Sequence, residues 1–296
     1  MTHIPVAQVL GNTDYFELDS VAVGGRFAVW VTTSPNYAED EARYPALYVT
    51  DGNFSVGQTA PLAVMQGDVL LPIAPYLQVT VGYTGAEADE WSRVRNRDLV
   101  PPGEPLPPDM RATLALAVER GAMTQAEVDA YLAELATARA DAFLTFLTDE
   151  LHPEVCRRYR VAPAGHGLFG YSYGGLFTLF ALLTGCPLFS KYGAGSPGVA
   201  SFDSKVLELA AAQPDLSGAR LHVTVNEAEL TGQLPIYRML GRGSMQLVDS
   251  LRASETGVTL TAAVLRETHA TGLQASFLSF MRACYGTTTE EPGRAG

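Results

Sequence analysis

Residues 165–175, with the sequence GHGLFGYSYGG, decide the predicted fold. Within them, GYSYG (170–174) fits the G-x-S-x-G pattern of a nucleophile elbow. In such an elbow a serine lies on a sharp turn between a strand and a helix, and glycines avoid the clash that Cβ atoms would cause where the backbone doubles back. The pattern therefore predicts a nucleophilic Ser172 at the end of a strand.

The residues on either side of this turn have the composition that the elbow requires. Residues 167–171 are short, apolar and bounded by glycine, which is typical of a buried parallel strand. Residues 175–183 are apolar enough for a buried helix, and Gly185 supplies a C-terminal cap. Strand, turn and helix are all present, whereas the alternative interpretation is a glycine-rich turn whose serine only caps the helix.

A second motif overlaps the first, because GHGLFG (165–170) fits the G-x-G-x-x-G fingerprint of dinucleotide-binding proteins. That loop should follow a strand and open a helix. Here residues 160–164 make a poor strand, the glycines lead into an apolar run, and no acidic residue lies near position 190 to meet a ribose. The context argues against dinucleotide binding.

Composition excludes several classes of partner. The chain has 296 residues and a net charge of −12, which disfavours nucleic acid, and it has no basic cluster for an anionic membrane. No apolar run approaches the roughly 20 residues of a membrane span, and no signal peptide is evident. The three cysteines are far apart without metal-site spacing, so we expect reduced thiols in a cytoplasmic protein without metal or organic cofactor.

Predicted strands alternate with predicted helices along most of the chain, which indicates an α/β fold with a mostly parallel sheet covered on both faces. We expect a single domain over residues 1–286 and a disordered tail over 287–296. Between positions 82 and 165 the alternation is interrupted by a proline-rich loop and two helices, the second of which starts at the capping box TQAE (124–127) and is long. The part at about 104–135 is predicted to form a small helical cap over the site. In the alternative interpretation, the second helix simply covers one face of the sheet.

A serine hydroxyl needs a base within hydrogen-bond reach, and the base needs an orienting carboxylate. In proteins with this elbow the acid and then the histidine follow the serine along the chain. Only His222 and His269 follow Ser172. His222 lies inside an apparent strand, whereas His269 lies in a polar loop after the last strand, which favours His269 as base. Glu229 is the favoured acid and Glu227 the alternate, since both follow the preceding predicted strand.

An oxyanion intermediate needs two backbone donors. One is predicted to be the N–H of Tyr173, directly after the nucleophile. The other is expected in the turn DGNF (51–54) that follows an early strand, with the N–H of Asn53 as first choice. In the alternative interpretation Asp51 and Asn53 only form the turn.

Five segments occur in an order that resembles one known family: YVTDGN (48–53), RNRDLVP (95–101), GYSYGG (170–175), NEAE (226–229) and ETH (267–269). Together they resemble the Putative esterase family of α/β-hydrolases, which contains esterase D type enzymes, feruloyl esterases, mycolyltransferases and siderophore esterases. The arginine-rich segment and the glutamate pair are most similar to the siderophore esterase branch.

This resemblance implies an α/β-hydrolase fold and a Ser172–His269 pair, with Glu229 as the acid. It also implies that Arg95 or Arg97 approaches the substrate. The chain departs from the family at Tyr173, where a leucine is often found, and in the helical insertion at 104–135.

The resulting hypothesis is a serine hydrolase that cleaves a small-molecule carboxylic ester or lactone through a Ser-His-acid triad and an acyl-enzyme. Transfer of the acyl group to an alcohol would use the same residues, so the sequence does not separate the two reactions. A non-catalytic binding protein with this fold is the alternative from another class. The sequence makes no prediction of the oligomeric state.

Overall fold

The computed structural model describes residues 10–67, 72–199, 202–232 and 234–287, and eight of the strands within them form one sheet. The strands are β1 (Thr13–Ser20), β2 (Gly25–Thr32), β3 (Ala46–Val49), β4 (Leu77–Tyr83), β5 (His166–Tyr171), β6 (Phe189–Gly195), β7 (Arg220–Asn226) and β8 (Thr259–Leu265). Their order is β1-β2-β4-β3-β5-β6-β7-β8. Strand β2 runs antiparallel to both of its neighbours, β1 and β4, whereas β4, β3, β5, β6, β7 and β8 run parallel to one another. The predicted mostly parallel sheet is confirmed.

Helices connect these strands on both sides of the sheet. Before the elbow they are α1 (Gly52–Thr59), a 3₁₀ segment (Ala60–Gly67), α2 (Ala86–Asp89), α3 (Trp91–Leu99), α4 (Pro108–Glu119), α5 (Gln125–Ala136), α6 (Ala140–Thr145), a π-helical segment (Phe146–Leu151) and α7 (His152–Arg158). After it they are α8 (Tyr173–Leu183), α9 (Lys205–Ala211), α10 (Glu227–Thr231), α11 (Pro235–Ala253) and α12 (Gly272–Tyr285).

Two apolar clusters cover the two faces of the sheet. On β3, Tyr48 belongs to the larger cluster, whereas its neighbours Leu47 and Val49 belong to the smaller one. Because successive side chains of a strand point to opposite faces, the two clusters lie on opposite sides. The larger cluster includes Phe177 of α8, and the smaller one includes Phe277 of α12, so each face is closed by helices.

The structure differs from the sequence-based expectation in the segment before the elbow. Arg95 and Arg97 lie on a helix, α3, rather than in a loop. The long helix expected from position 124 stops at Ala136, and a new one starts at Ala140. At this break the N–H of Arg139 donates to the carbonyl of Arg97 (2.7 Å), so contact with the end of α3 replaces the helical hydrogen bond.

The predicted cap corresponds to α4 and α5, which contact each other. Helix α5 packs on α3, and α4 packs on α11. The expected tail, 287–296, lies outside the described residues except for Thr287, whose N–H donates to the carbonyl of Pro72 (3.0 Å). Within the described ranges, no helix combines the length and apolarity needed to cross a bilayer.

The loop before α4 is fastened to α9 by Glu104, whose carboxylate accepts a hydrogen bond from the N–H of Lys205 (2.8 Å). Burial raises the pKa of Glu104 to about 7, although the hydrogen bonds from Ser204 and the Lys205 N–H lower it in part. A carboxyl whose pKa is raised on folding stabilises the fold while protonated, and this stabilisation is lost as pH rises through 7.

Glu104→Gln, which stays neutral, should therefore gain thermal stability relative to the wild type as pH rises from about 5 to 8. Unfolding midpoints of both proteins across this range, followed by circular dichroism, measure the difference. A difference that shrinks with rising pH would contradict the raised pKa.

Candidate active site

Ser172 lies between the end of β5 and the start of α8 with φ 59° and ψ −118°. A non-glycine residue at positive φ is strained, and such strain is typical of a nucleophile elbow. The turn is held from outside, because the N–H of Ser172 donates to the carbonyl of Gly195 (2.9 Å) and the N–H of Gly198 donates to the carbonyl of Ser172 (2.8 Å). The backbone of Ser172 is thus fixed on both sides.

The elbow requires glycine at positions 170 and 174. A Cβ atom on Gly170 would lie 2.1 Å from the carbonyl oxygen of Gly174, and one on Gly174 would lie 2.3 Å from Thr50 Oγ1. Both distances are too short for atoms that are not bonded to each other. The atom that a Cβ on Gly170 would meet belongs to the main chain, so it cannot move aside as a flexible side chain could.

Gly170→Ala should therefore lower the free energy of unfolding by about 3 kcal/mol and displace Ser172. Gly57→Ala is the matched control, because Gly57 is exposed on α1 and a Cβ there meets nothing within 4 Å. Urea unfolding of both variants measures the difference, and equal stabilities would show that the elbow tolerates a side chain at 170.

The structure brings Ser172, His269 and Glu229 together. His269 Nε2 is 3.0 Å from Ser172 Oγ, and His269 Nδ1 is 2.8 Å from Glu229 Oε1. His269 lies in the turn between β8 and α12, where its carbonyl accepts a hydrogen bond from the Tyr171 hydroxyl (2.9 Å). The other candidate histidine, His222, is buried on β7 between the hydroxyls of Thr261 and Ser279, as its position in a strand predicts.

Glu229 is 1% exposed and is surrounded by donors. It occupies the first turn of α10, where its Oε2 accepts from the N–H of Asn226 (2.9 Å) and its Oε1 from Asn226 Nδ2 (2.8 Å) and Ser196 Oγ. Burial alone would raise the pKa of Glu229, but the hydrogen bonds from His269, Ser196 and Asn226 hold it below its usual value. Glu229 is therefore ionised at neutral pH.

The alternate acid, Glu227, is not part of this cluster. It is the first residue of α10 and is exposed, and with Thr231 it lines a shallow surface depression whose lining includes neither Ser172 nor His269. The hydrogen bond from Asn226 to Glu229 closes a capping box at the start of α10, and this local structure turns Glu229 inward.

The two predicted oxyanion donors lie at helix N-termini. Tyr173 is the first residue of α8, and Asn53 is the second residue of α1, which begins directly after the turn at Asp51 (φ 60°). The first N–H groups of a helix lack intrahelical acceptors and carry the positive end of its dipole, so they suit an anion. The Asn53 side chain is paired with the backbone of Tyr83 (2.7 and 2.9 Å), which fixes its main chain beside β4.

The two arginines suggested as substrate contacts are both paired within the protein. Arg95 forms a bidentate ion pair with Asp51 (2.5 and 2.7 Å), and its Nη2 also donates to the carbonyl of Tyr171 (3.1 Å). Its guanidinium therefore ties the turn after β3 to the residue before the nucleophile. Arg97 pairs with Asp98 and Glu87 (2.8 Å each) and, unlike Arg95, is not among the residues that line the cavity beside Ser172.

A cavity of about 230 Å³ opens on Ser172 and His269. Phe54 and Trp91 stack against each other in its wall, with ring centroids 5.6 Å apart and an interplanar angle of 10°. The other lining residues are Asp51, Ser92, Arg95, Tyr171, Ala270 and Leu273. The wall is mainly apolar and aromatic, which suits the apolar part of an ester.

Helix α5 contacts the nucleophile turn through a hydrogen bond. The hydroxyl of Tyr131 on α5 lies 2.9 Å from the hydroxyl of Tyr173, the residue after Ser172. This contact links Tyr173 to the segment predicted as a cap. Within the described residues, no group of three or more His, Cys, Asp or Glu side chains forms a candidate metal site.

Two side chains at the site were missed by sequence reasoning. Ser196, directly after β6, bonds Glu229, and Tyr237 of α11 stacks on the imidazole of His269 with centroids 4.8 Å apart. The only sequence signal for Ser196 is that it follows a predicted parallel strand. Ligand sites of parallel sheets form at the carboxyl ends of the strands. Tyr237 carries no local signal, because α11 brings it from a separate element.

Comparison with known proteins defines the family. The model described as "Putative esterase" matches residues 109–281, more than half of the chain. The chain belongs to this esterase family. Relatives include the ferri-bacillibactin esterase BesA of Bacillus subtilis (strain 168), 30% identical over 173 residues that cover 56% of this chain and 52% of the relative. The apo-salmochelin esterase of Escherichia coli O6:H1 is 26% identical over 215 residues, 72% of this chain and 59% of the relative.

The chain therefore spans only about half the length of the curated relatives it matches. Among solved structures, the BES protein from Bacillus cereus superposes with a TM-score of 0.71 at 20% identity, covering 97% of this chain and 98% of that one. At this identity the likeness concerns the fold, and it confirms the predicted α/β-hydrolase architecture of this member of the esterase family.

Proposed function

We propose that this member of the esterase family is a carboxylic-ester hydrolase that uses Ser172, His269 and Glu229 as its catalytic triad. The observation that carries the proposal is the continuous set of contacts from Ser172 Oγ to His269 Nε2 (3.0 Å) and from His269 Nδ1 to Glu229 (2.8 Å). These distances lie within the range in which a base activates a serine hydroxyl and a carboxylate orients the base.

In the acylation step Ser172 Oγ attacks the ester carbonyl carbon while His269 Nε2 takes its proton. Ionised Glu229 accepts from His269 Nδ1–H, which fixes the tautomer and stabilises the imidazolium that forms. The carbonyl oxygen becomes negative and is held by the N–H groups of Tyr173 and Asn53.

The intermediate collapses when the alcohol leaves with the proton from His269, and Ser172 is left acylated. Water then attacks the acyl-enzyme with His269 again as base, which releases the acid and restores the hydroxyl of Ser172. The cavity wall of Phe54 and Trp91 would hold the apolar part of the substrate.

Two relatives are named "Siderophore triacetylfusarinine C esterase" and "Siderophore enterobactin esterase", and their names support a siderophore ester or lactone as the substrate class. The pairing of Arg95 with Asp51 and the Tyr171 carbonyl supports a role for Arg95 in fixing the site. The Arg95 side chain also lines the cavity, where a substrate could contact it. The contact between Tyr131 and Tyr173 supports a cap formed by the segment 104–135, which would restrict the size of the bound ester.

A fluorophosphonate probe tests the proposal directly, because it reacts with the activated hydroxyl of a serine nucleophile. The label should appear on the tryptic peptide 161–191 and fragmentation should place it on Ser172 rather than on Ser190 in the same peptide. His269→Asn is the control and should abolish labelling while the protein remains folded. Labelling at another residue, or none, would refute the proposed nucleophile.

Products should also be analysed with an ester panel that contains aliphatic, aromatic and lactone substrates, with and without added alcohol. Hydrolysis predicts free acid as the main product in both cases. Formation of a new ester as the main product would instead identify an acyltransferase that uses the same residues.

A further inference from the structure

Ser196 contacts both His269 and Glu229, the other two residues of the proposed triad. Its Oγ donates to Glu229 Oε1 and lies 3.1 Å from His269 Nδ1. Because His269 Nδ1 is also 2.8 Å from Glu229 Oε1, the Nδ1–H faces two acceptors. The three side chains form a closed ring of hydrogen bonds, and Ser196 is only 1% exposed, so water hardly competes for these contacts.

The backbone of Ser196 adopts a conformation that serine disfavours. Its φ is 40°, in the left-handed region where glycine is the usual residue. The N–H of Ser196 donates to the carbonyl of Thr224 (2.8 Å), which holds this conformation in place between β6 and β7. A side chain retained at a strained position is a reason to look for a functional contact, and the contact here is with Glu229 and His269.

The same segment also fixes the nucleophile. The carbonyl of Gly195 accepts from the N–H of Ser172 (2.9 Å), and the N–H of Gly198 donates to the carbonyl of Ser172 (2.8 Å). Residues 195–198 therefore hold the Ser172 backbone through their main chain and hold Glu229 through the Ser196 side chain. One short piece of chain therefore contacts both the nucleophile and the acid.

We propose that Ser196 is a positioning residue for proton transfer between Ser172 and His269, an inference that rests on the proposed function. Its O–H holds the Glu229 carboxylate in one rotamer, and its lone pair gives His269 Nδ1–H a second acceptor. When the proton of Ser172 moves to His269 Nε2, the imidazolium strengthens its Nδ1–H hydrogen bonds to both oxygens. The ring also opposes rotation of the imidazole away from Ser172.

Kinetics of Ser196→Ala test this role. The variant should lose about tenfold in kcat for ester hydrolysis with KM unchanged within about twofold, because the lost contacts matter when the imidazolium forms. The acid limb of the kcat/KM profile should move to lower pH, since the imidazolium loses an acceptor and a fixed carboxylate. Unchanged kcat and an unchanged acid limb would show that Ser196 is only a turn residue.

Ser196→Gly separates the hydroxyl from backbone strain. Glycine relieves the strain at φ 40° but also lacks the hydroxyl, so this variant should unfold at a higher temperature than Ser196→Ala and show the same loss of kcat. If Ser196→Gly has wild-type kcat, the side chain has no role in proton transfer and the proposal is overturned. This variant also serves if Ser196→Ala folds poorly.

A measurement without turnover distinguishes this inference from the proposed function. The pKa of His269 is followed by NMR in Ser172→Ala and in Ser172→Ala/Ser196→Ala, with His269→Asn for assignment. The titratable groups that face or flank His269, which include Glu229, Glu267, Tyr171 and Tyr237, are the same in both proteins. A lower pKa in the double variant supports the role of Ser196, and equal values overturn it. Ester hydrolysis retained by Ser172→Ala would refute the proposed function and this inference with it, whereas equal pKa values together with loss of hydrolysis in Ser172→Ala would overturn the role of Ser196 alone.

Discussion

Replacing Ser172 with alanine is expected to lower kcat for ester hydrolysis by at least about 10⁴-fold without unfolding the protein. The hydroxyl is the only group of Ser172 that reaches His269, and the strained backbone at φ 59° is fixed by Gly195 and Gly198 through main-chain hydrogen bonds that alanine keeps. The variant should therefore retain the elbow and lose the nucleophile. Initial rates on a p-nitrophenyl ester, with circular dichroism and thermal unfolding, measure both effects.

Ser190→Ala is a suitable control, because Ser190 lies on the neighbouring strand β6 outside the cavity and should leave kcat within about twofold of the wild type. If Ser172→Ala retained activity, the proposed acyl-enzyme mechanism at Ser172 would be refuted. A loss of activity accompanied by loss of the thermal transition would attribute the effect to folding, and the fluorophosphonate label on the wild-type protein would then decide.

The central part of the fold was predictable because its sequence signals are local. Residues 166–171 are fully buried between β3 and β6, and a strand buried on both faces appears in the sequence as an unbroken apolar run. The turn that follows is specified by glycines 170 and 174, where the structure leaves no room for a Cβ atom. Steric exclusion is a local property, so a motif records it.

The segment before the elbow was harder to predict, since tertiary contacts override its local preferences. Helix α3 carries three arginines and an aspartate in the sequence WSRVRNRDL, in which Trp91, Val94 and Leu99 are the apolar residues and give only a short amphipathic signal. Two of its arginines have partners distant in the chain, since Arg95 pairs with Asp51 and Arg93 with Glu134. The break at Thr137 similarly depends on the carbonyl of Arg97. Such pairings are invisible in a single sequence.

The same distinction applies to the site. Ser172 and His269 each stand in a recognisable local context, whereas Ser196 and Tyr237 acquire their contacts only when β6 and α11 are packed beside the turn of His269. The choice between Glu229 and Glu227 lies between these two cases, because the sequence contains part of the information that decides it. Both follow β7, and the capping box that points Glu229 inward is a local structure that the sequence NEAE encodes, with the glutamate three residues after the asparagine.

Glu229→Gln is expected to lower kcat by about 10⁴-fold, whereas Glu227→Gln should leave it within about twofold. An amide at 229 presents either an N–H group to His269 Nδ1–H, which favours the wrong tautomer, or a neutral oxygen that stabilises the imidazolium less than a carboxylate. Glu227 is exposed and has no contact with His269, so its substitution is a control with identical chemistry two residues away.

The pH profile adds a readout that altered folding does not produce. The hydrogen bonds that hold the pKa of Glu229 below its usual value keep the carboxylate charged beside His269, so it stabilises the imidazolium that forms during the reaction. Removing that charge should move the acid limb of kcat/KM to lower pH and lower the plateau at the same time. Equal profiles for Glu229→Gln and the wild type, or a large loss in Glu227→Gln, would show that the carboxylate beside His269 in the structure is not the one on which the reaction depends.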